Sequence, residues 1–208
     1  MRHMPRTEKI LNIIMVIFAL IGIVLMVTGK EDGTLQSTGI ENFKYYTVLS
    51  NVFCGIVAGL YLIRRSDKLI PLKLGAVCGV TITFCVVAFM FGPIYGFLQF
   101  YQRGNLFFHL LLPVVAMVEF IIVRRGKIPF RYTILAAIPT LIYGFCYMTN
   151  ILINGKGEWP DTNDFYGFLN WGWPVGIGIF AVITLSAFGV ACAFRAISNK
   201  RSLNKKEA

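Results

Sequence analysis

Six apolar blocks, each long enough to cross a hydrocarbon core about 30 Å thick, run through this chain of 208 residues. One of the six carries an acid, Glu119, close to its end. With 14% charged residues, against about 25% in an ordinary soluble domain, the composition agrees. The pattern predicts an all-α polytopic membrane protein: a single domain over 1–208, with six transmembrane helices in one bundle near 11–27, 43–63, 72–92, 106–123, 132–153 and 175–197. The loops between the blocks are too short for a phosphate-binding loop, a dinucleotide fold or a nucleic-acid module.

A net charge of +10 would suggest nucleic acid in a soluble chain, but here the positions of the cations matter first. Sixteen of the 20 Lys and Arg residues lie in the N-terminal segment, the second and fourth loops and the C-terminal tail, while Lys30, Lys44, Arg103 and Lys156 share the other loops with six of the ten acids. This asymmetry predicts cytoplasmic termini in a cell membrane. Attraction to anionic lipid of the inner leaflet then accounts for the charge without nucleic acid. The first block lacks a small-x-small cleavage site before Gly29-Lys30-Glu31 and is expected to stay as a helix. All five cysteines lie within spans, none forms a C-x-x-C pair, and the only histidines are His3 and His109. The sequence therefore predicts no disulfide framework, no metal site and no cofactor.

Polar residues inside spans are costly in hydrocarbon and are the first functional candidates. Thr47, Ser50, Asn51 and Cys54 stand at i, i+3, i+4 and i+7 of span two and continue into Gly55, Ala58 and Gly59, so they form one helical face. That face suits either a close helix contact or a polar site, with Val48, Leu49, Val52, Phe53, Ile56 and Val57 turned to lipid or packing. His109 lies about one turn into span four, from the same outer side as Thr47. Pro113 has no N–H for the carbonyl of His109, so the helix should bend beside the ring. A neutral histidine bonded across helices is the other reading of His109. Glu119 lies about 15 Å farther along that helix, within reach of Arg124 and Arg125, as expected of a structural ion pair. Asn150 and Asn170 are placed to be polar neighbours of an outer site. The aromatic and polar stretch 161–171, between Trp159 and Trp173, reads either as an interfacial loop or as a lid.

The segment Phe43-Lys44-Tyr45-Tyr46-Thr47-Val48-Leu49-Ser50-Asn51, followed by His109-x-x-x-Pro113 and Glu119, resembles the androgen-induced and androgen-dependent integral membrane hydrolases and their bacterial relatives. Phe165-Tyr166-Gly167-Phe168-Leu169-Asn170 is similar to a loop of the bacterial members, with Gly167 where a proline is expected. The resemblance implies a threonine nucleophile, Thr47, a histidine base, His109, and a lipid ester substrate such as a fatty acid ester of a hydroxy fatty acid, taken from the bilayer.

The chemistry is coherent with that reading, because a threonine hydroxyl needs a neighbouring base and imidazole is the side chain suited to the task near neutral pH. Asn51 is the first candidate oxyanion donor, followed by Asn150, with Ser50 beside them. Tyr46, Phe108, Tyr166, Asn170 and Trp171 are expected around the substrate cavity. No third member stands out, and a backbone carbonyl could orient the ring. A lipid or small-molecule transporter or binding protein is the competing class, which charges deep in several spans or matched broken helices would favour.

Overall fold

The structure, a computed structural model, describes residues 4–29, 39–123, 125–158 and 161–203. Among them every regular element is helical, and six helices are long and apolar enough to span a membrane. They are α1 (Arg6–Thr28), α2 (Tyr46–Arg64), α3 (Asp67–Tyr95), α4 (Arg103–Ile122), α5 (Arg131–Asn154) and α6 (Trp173–Leu203). By length and composition these six helices suit a multi-pass membrane protein. Helix ends follow local chemistry. Arg65 closes α2 in the left-handed region at φ 44, the Ser66 hydroxyl accepts the Lys68 N–H at 3.3 Å to start α3 with the 3-10 turn Asp67–Leu69, and Pro71 lies in the first turn of the α-helical part that begins at Ile70.

Helix α3 is the centre of the bundle and packs on α2, α4, α5 and α6, while α1 packs on α2 and α4. Of the six, α3 is the most deeply buried and α6 the least, so α6 lies at the periphery. Large apolar side chains such as Leu20, Ile63, Phe89, Phe145 and Leu185 remain exposed, as a lipid-facing surface requires. Small residues allow the closest approaches: Gly55 of α2 abuts Ala19 of α1, and the Phe108 ring of α4 covers Gly22 of α1. The Gly55 end of the α2 stripe is therefore a helix contact. On the side read as turned to lipid or packing, Val48 and Val57 are packed because α2 is flanked by both α1 and α3, whereas Leu49 and Ile56 are exposed.

Each of α3 and α4 contains one wider, π-type turn, at Val87–Phe91 and Phe107–Leu111. In each, an N–H reaches back five residues, from Gly92 to the Val87 carbonyl and from Leu112 to the Phe107 carbonyl. A proline, Pro93 or Pro113, follows immediately. Proline cannot donate to the carbonyl four residues before it, and the wider turn shifts the bonding register by one just ahead of that gap.

At the end of the bundle where α1 begins and α6 ends, polar groups from three helices are buried together. The Glu119 carboxylate accepts from Arg125 Nη2 at 2.7 Å on both oxygens, from Lys73 Nζ at 2.7 Å and from Asn12 Nδ2 at 3.0 Å. Lys73 also donates to Asn12 Oδ1 at 2.6 Å, and Glu8 is buried one turn before Asn12. The expected ion pair of Glu119 is present through Arg125, and Arg124 lies outside the described residues. Lys73, however, does not join the basic loop assigned to it, because α3 begins earlier than hydropathy indicates and carries the ammonium inside. The α4–α5 connection is bound to the C-terminal part of α6 at the same end, where Arg195 Nε and Asn199 Nδ2 donate to the Ile128 carbonyl at 3.0 and 3.1 Å.

Candidate functional site

Thr47 is the second residue of α2 and is half-buried at the end opposite the termini. Its carbonyl accepts Asn51 Nδ2 at 2.8 Å and Ser50 Oγ at 3.1 Å. Asn51 is fully buried, and Nδ2 also donates to the Phe108 carbonyl at 2.9 Å, which ties α2 to the residue preceding His109. Both partners are carbonyls, so the amide nitrogen must be the atom facing them. Both amide hydrogens are thereby committed. This corrects the expectation of an oxyanion donor at Asn51, whose remaining atom, Oδ1, is an acceptor and is buried without a hydrogen-bond partner. The Ser50 hydroxyl stands between the Thr47 carbonyl and Thr83 Oγ1 of α3, 3.3 Å away.

His109 lies inside the π-type turn of α4 and is buried. Its Nδ1 is 2.9 Å from the carbonyl of Phe100, a residue of the short turn Phe97–Phe100 that precedes α4. A carbonyl only accepts, so Nδ1 carries the proton in this bond and Nε2 of the neutral ring is left as the proton acceptor. The Phe100 ring lies edge-on to the imidazole at 5.9 Å and stacks on Phe91 of α3 at 5.8 Å. Helices α2 and α4 share α1 and α3 as neighbours and touch each other near Asn51 and Phe108. Among the described residues, no hydrogen bond joins the side chains of Thr47 and His109.

A layer of aromatic rings covers the start of α2. The Tyr166 hydroxyl accepts the Tyr46 N–H at 2.8 Å, satisfying one of the donors that a helix start leaves unpaired. Tyr45 meets the rings of Phe165 and Tyr166 at 5.1 and 5.9 Å. Burial pushes the phenol of Tyr166 above its usual range, so it stays protonated. Tyr143 donates to the Lys44 carbonyl at 2.8 Å, and Tyr46 meets Thr140 Oγ1 at 2.7 Å. Asp164 organises the loop: its carboxylate accepts the Tyr147 hydroxyl at 2.6 Å and the N–H groups of Phe168 and Leu169 at 2.9 and 3.0 Å. Gly167 turns that loop at φ +67, a conformation closed to proline, so the departure from the resembled pattern has a local cause.

Other expected members lie elsewhere. Asn150 donates to Asn163 Oδ1 at 3.1 Å and binds α5 to the loop. Asn170 accepts Lys156 Nζ at 2.9 Å on the exposed side, and Trp171 is 72% exposed, so neither covers the start of α2. Phe108 is fully buried against Gly22 and fills a helix contact. Trp159 lies outside the described residues. Two open spaces occur elsewhere: a cavity of about 10 Å³ beside Cys54, Lys73 and Glu119, and an apolar groove of about 230 Å³ lined by Phe53, Leu72 and Leu135. Neither is lined by Thr47 or His109.

No protein-family model, curated protein or solved structure matches this chain. The hydrolase resemblance therefore rests on the motifs themselves. Sequence reasoning did not identify the Phe100 carbonyl, since no side-chain pattern marks a backbone acceptor. It also missed Thr140 as the partner of Tyr46, although a threonine one residue after a proline inside span five was a visible polar signal.

Proposed function

We propose that the protein is an intramembrane hydrolase of lipid esters, with Thr47 as nucleophile and His109 as general base and acid, facing the outer leaflet while both termini are cytoplasmic. The observation that supports this reading is the state of His109. It is buried, with Nδ1 held by a backbone carbonyl and Nε2 left as acceptor, on a segment that Asn51 ties to Thr47. The positive residues gathered at the end with the termini support the orientation.

In the reaction, Nε2 of His109 takes the proton of the Thr47 hydroxyl as its oxygen attacks the ester carbonyl. The imidazolium then protonates the departing alkoxide, leaving the acyl group on Thr47. A water gives its proton to Nε2 and attacks the acyl carbon, and the fatty acid leaves as the proton returns to Thr47. A long-chain substrate suits this position, since an acyl chain enters sideways between helices while its ester stays near the interface.

Purified protein in lipid nanodiscs should hydrolyse a fatty acid ester of a hydroxy fatty acid. Thr47→Ala and His109→Ala should each remove most turnover, with the double variant scarcely worse, as residues that act as one unit behave. A fluorophosphonate probe should label Thr47 only when His109 is present. Full hydrolysis by a folded Thr47→Ala protein, or none by wild type on a panel of lipid esters, would refute the proposal.

A transport function has one observation in its favour, the charges buried in α3 and α4 at Lys73 and Glu119. Those charges are engaged with each other, with Arg125 and with Asn12, and the adjoining cavity has room for about one water. The two interrupted helices, α3 and α4, are consecutive and do not occupy matching places in two halves.

A further inference from the structure

The geometry points to the carbonyl of Phe100 as the group that orients His109, making Phe100 a positioning residue for the hydrolase reaction proposed above, on which this inference rests. Three features place that carbonyl. Gly96, at φ +92, breaks the chain sharply after α3 and admits the single turn Phe97–Phe100. A residue with a Cβ rarely adopts this backbone shape. Arg103, at φ +47, turns the chain again into α4, so the turn is bracketed by two left-handed residues. Between them Phe100 is 4% exposed and packs on Phe91, while Phe97 and Leu98 on the same turn are 44% and 76% exposed. One side of the turn is fixed in the bundle and the other is open to lipid.

The consequence for His109 is a matter of proton bookkeeping. A carbonyl at 2.9 Å from Nδ1 is satisfied only when Nδ1 bears hydrogen. The alternative tautomer, with the proton on Nε2, would set two lone pairs against each other in a buried site, so it is disfavoured. Nε2 is thereby kept free of hydrogen at neutral charge, the form in which it can take the Thr47 proton. The π-type turn contributes by placing His109 where its ring meets Phe100. A carboxylate performs this orienting task in Ser-His-Asp enzymes, where loss of the correct tautomer lowers turnover by up to about 10⁴-fold. Here a neutral carbonyl performs it, which spares the bilayer a further buried charge.

The test reads the tautomer directly. Protein labelled with ¹⁵N-histidine and carrying His3→Asn has a single imidazole, and its ¹⁵N shifts in nanodiscs should show a protonated Nδ1 and an unprotonated Nε2. Replacing Tyr101 by its α-hydroxy acid turns the Phe100 carbonyl into an ester carbonyl, a weaker acceptor. This should shift the tautomer population toward the Nε2-protonated form and lower kcat at least tenfold with little change in KM. The same backbone ester at Leu98, which alters the Phe97 carbonyl, should change neither. A purely structural role for the turn would leave the tautomer ratio unmoved. An Nε2-protonated ring in the unmodified protein, or an unaltered tautomer ratio in the Tyr101 ester whatever its rate, overturns the inference while the hydrolase reading stands. The expected shifts in a protein that cleaves no ester would instead overturn the hydrolase reading and leave the orienting bond in place.

Discussion

Replacing Glu119 by glutamine should destabilise the bundle by about 3 to 5 kcal/mol, the usual cost of removing one partner from a buried ion pair. The structure explains why the cost belongs in that range. The carboxylate accepts four hydrogen bonds, at 2.7, 2.7, 2.7 and 3.0 Å, from groups on α1, α3 and the segment after α4. The side chains of Lys73 and Arg125 are 4% and 0% exposed, so neither cation can turn to water when the carboxylate is gone. The amide also turns two hydrogens toward a site built from donors. Against a total stability on the order of 5 to 15 kcal/mol, this is a large fraction. Reversible unfolding in mixed micelles, followed by tryptophan fluorescence, measures it. Adding Lys73→Met to Glu119→Gln removes one stranded cation and should recover at least about 1 kcal/mol, a coupling expected of groups in one network. A Glu119→Gln protein within about 0.5 kcal/mol of wild type, or a double variant as unstable as the sum of the singles, would refute the reasoning.

Three further outcomes are expected. Gly22→Val should push the Phe108 ring away from α1, lowering both stability, by about 1 to 3 kcal/mol, and ester hydrolysis, which melting and turnover measured together would show. Asp164→Ala should raise amide hydrogen exchange at Phe168 and Leu169 by on the order of 30-fold, the equivalent of about 2 kcal/mol for lost bonds to a carboxylate. Cysteines introduced at Asp161 and Lys205 should be labelled from opposite faces of sealed vesicles, and labelling from one face would refute the proposed orientation.

The helical architecture was legible because hydrocarbon imposes a length of apolar sequence that few other constraints produce. Span two shows both the reach and the limit of such reading. Its polar stripe was visible from spacing, but the stripe divides along its length: Gly55 is a contact with α1, while Asn51 is a bracket between two carbonyls. Nothing in a one-helix pattern separates those roles, since they depend on which neighbour stands opposite. Lys73 counts among the loop cations in the sequence because hydropathy blurs a helix end, and a cation just inside α3 looks the same as one just outside. The aromatic loop was recognisable as a lid candidate. The residues that cover α2 are Phe165 and Tyr166, whereas Asn170 and Trp171 point outward, because the positive φ of Gly167 reverses the chain between them.

The buried ion cluster also sets an order of events in biosynthesis. Lys73 leaves the ribosome 46 residues before Glu119, its partner, which at about 5 to 20 residues per second is a wait of roughly 2 to 9 s. By the second half of that interval α1, α2 and α3 are complete, yet Asn12 and Lys73 have no carboxylate from α4 to close around. Until the fourth helix arrives, this end of the nascent bundle lacks the carboxylate that joins Asn12 and Lys73 in the finished protein. Only then can the first and third helices close around it, so the chain assembles around its fourth helix although that helix is made late.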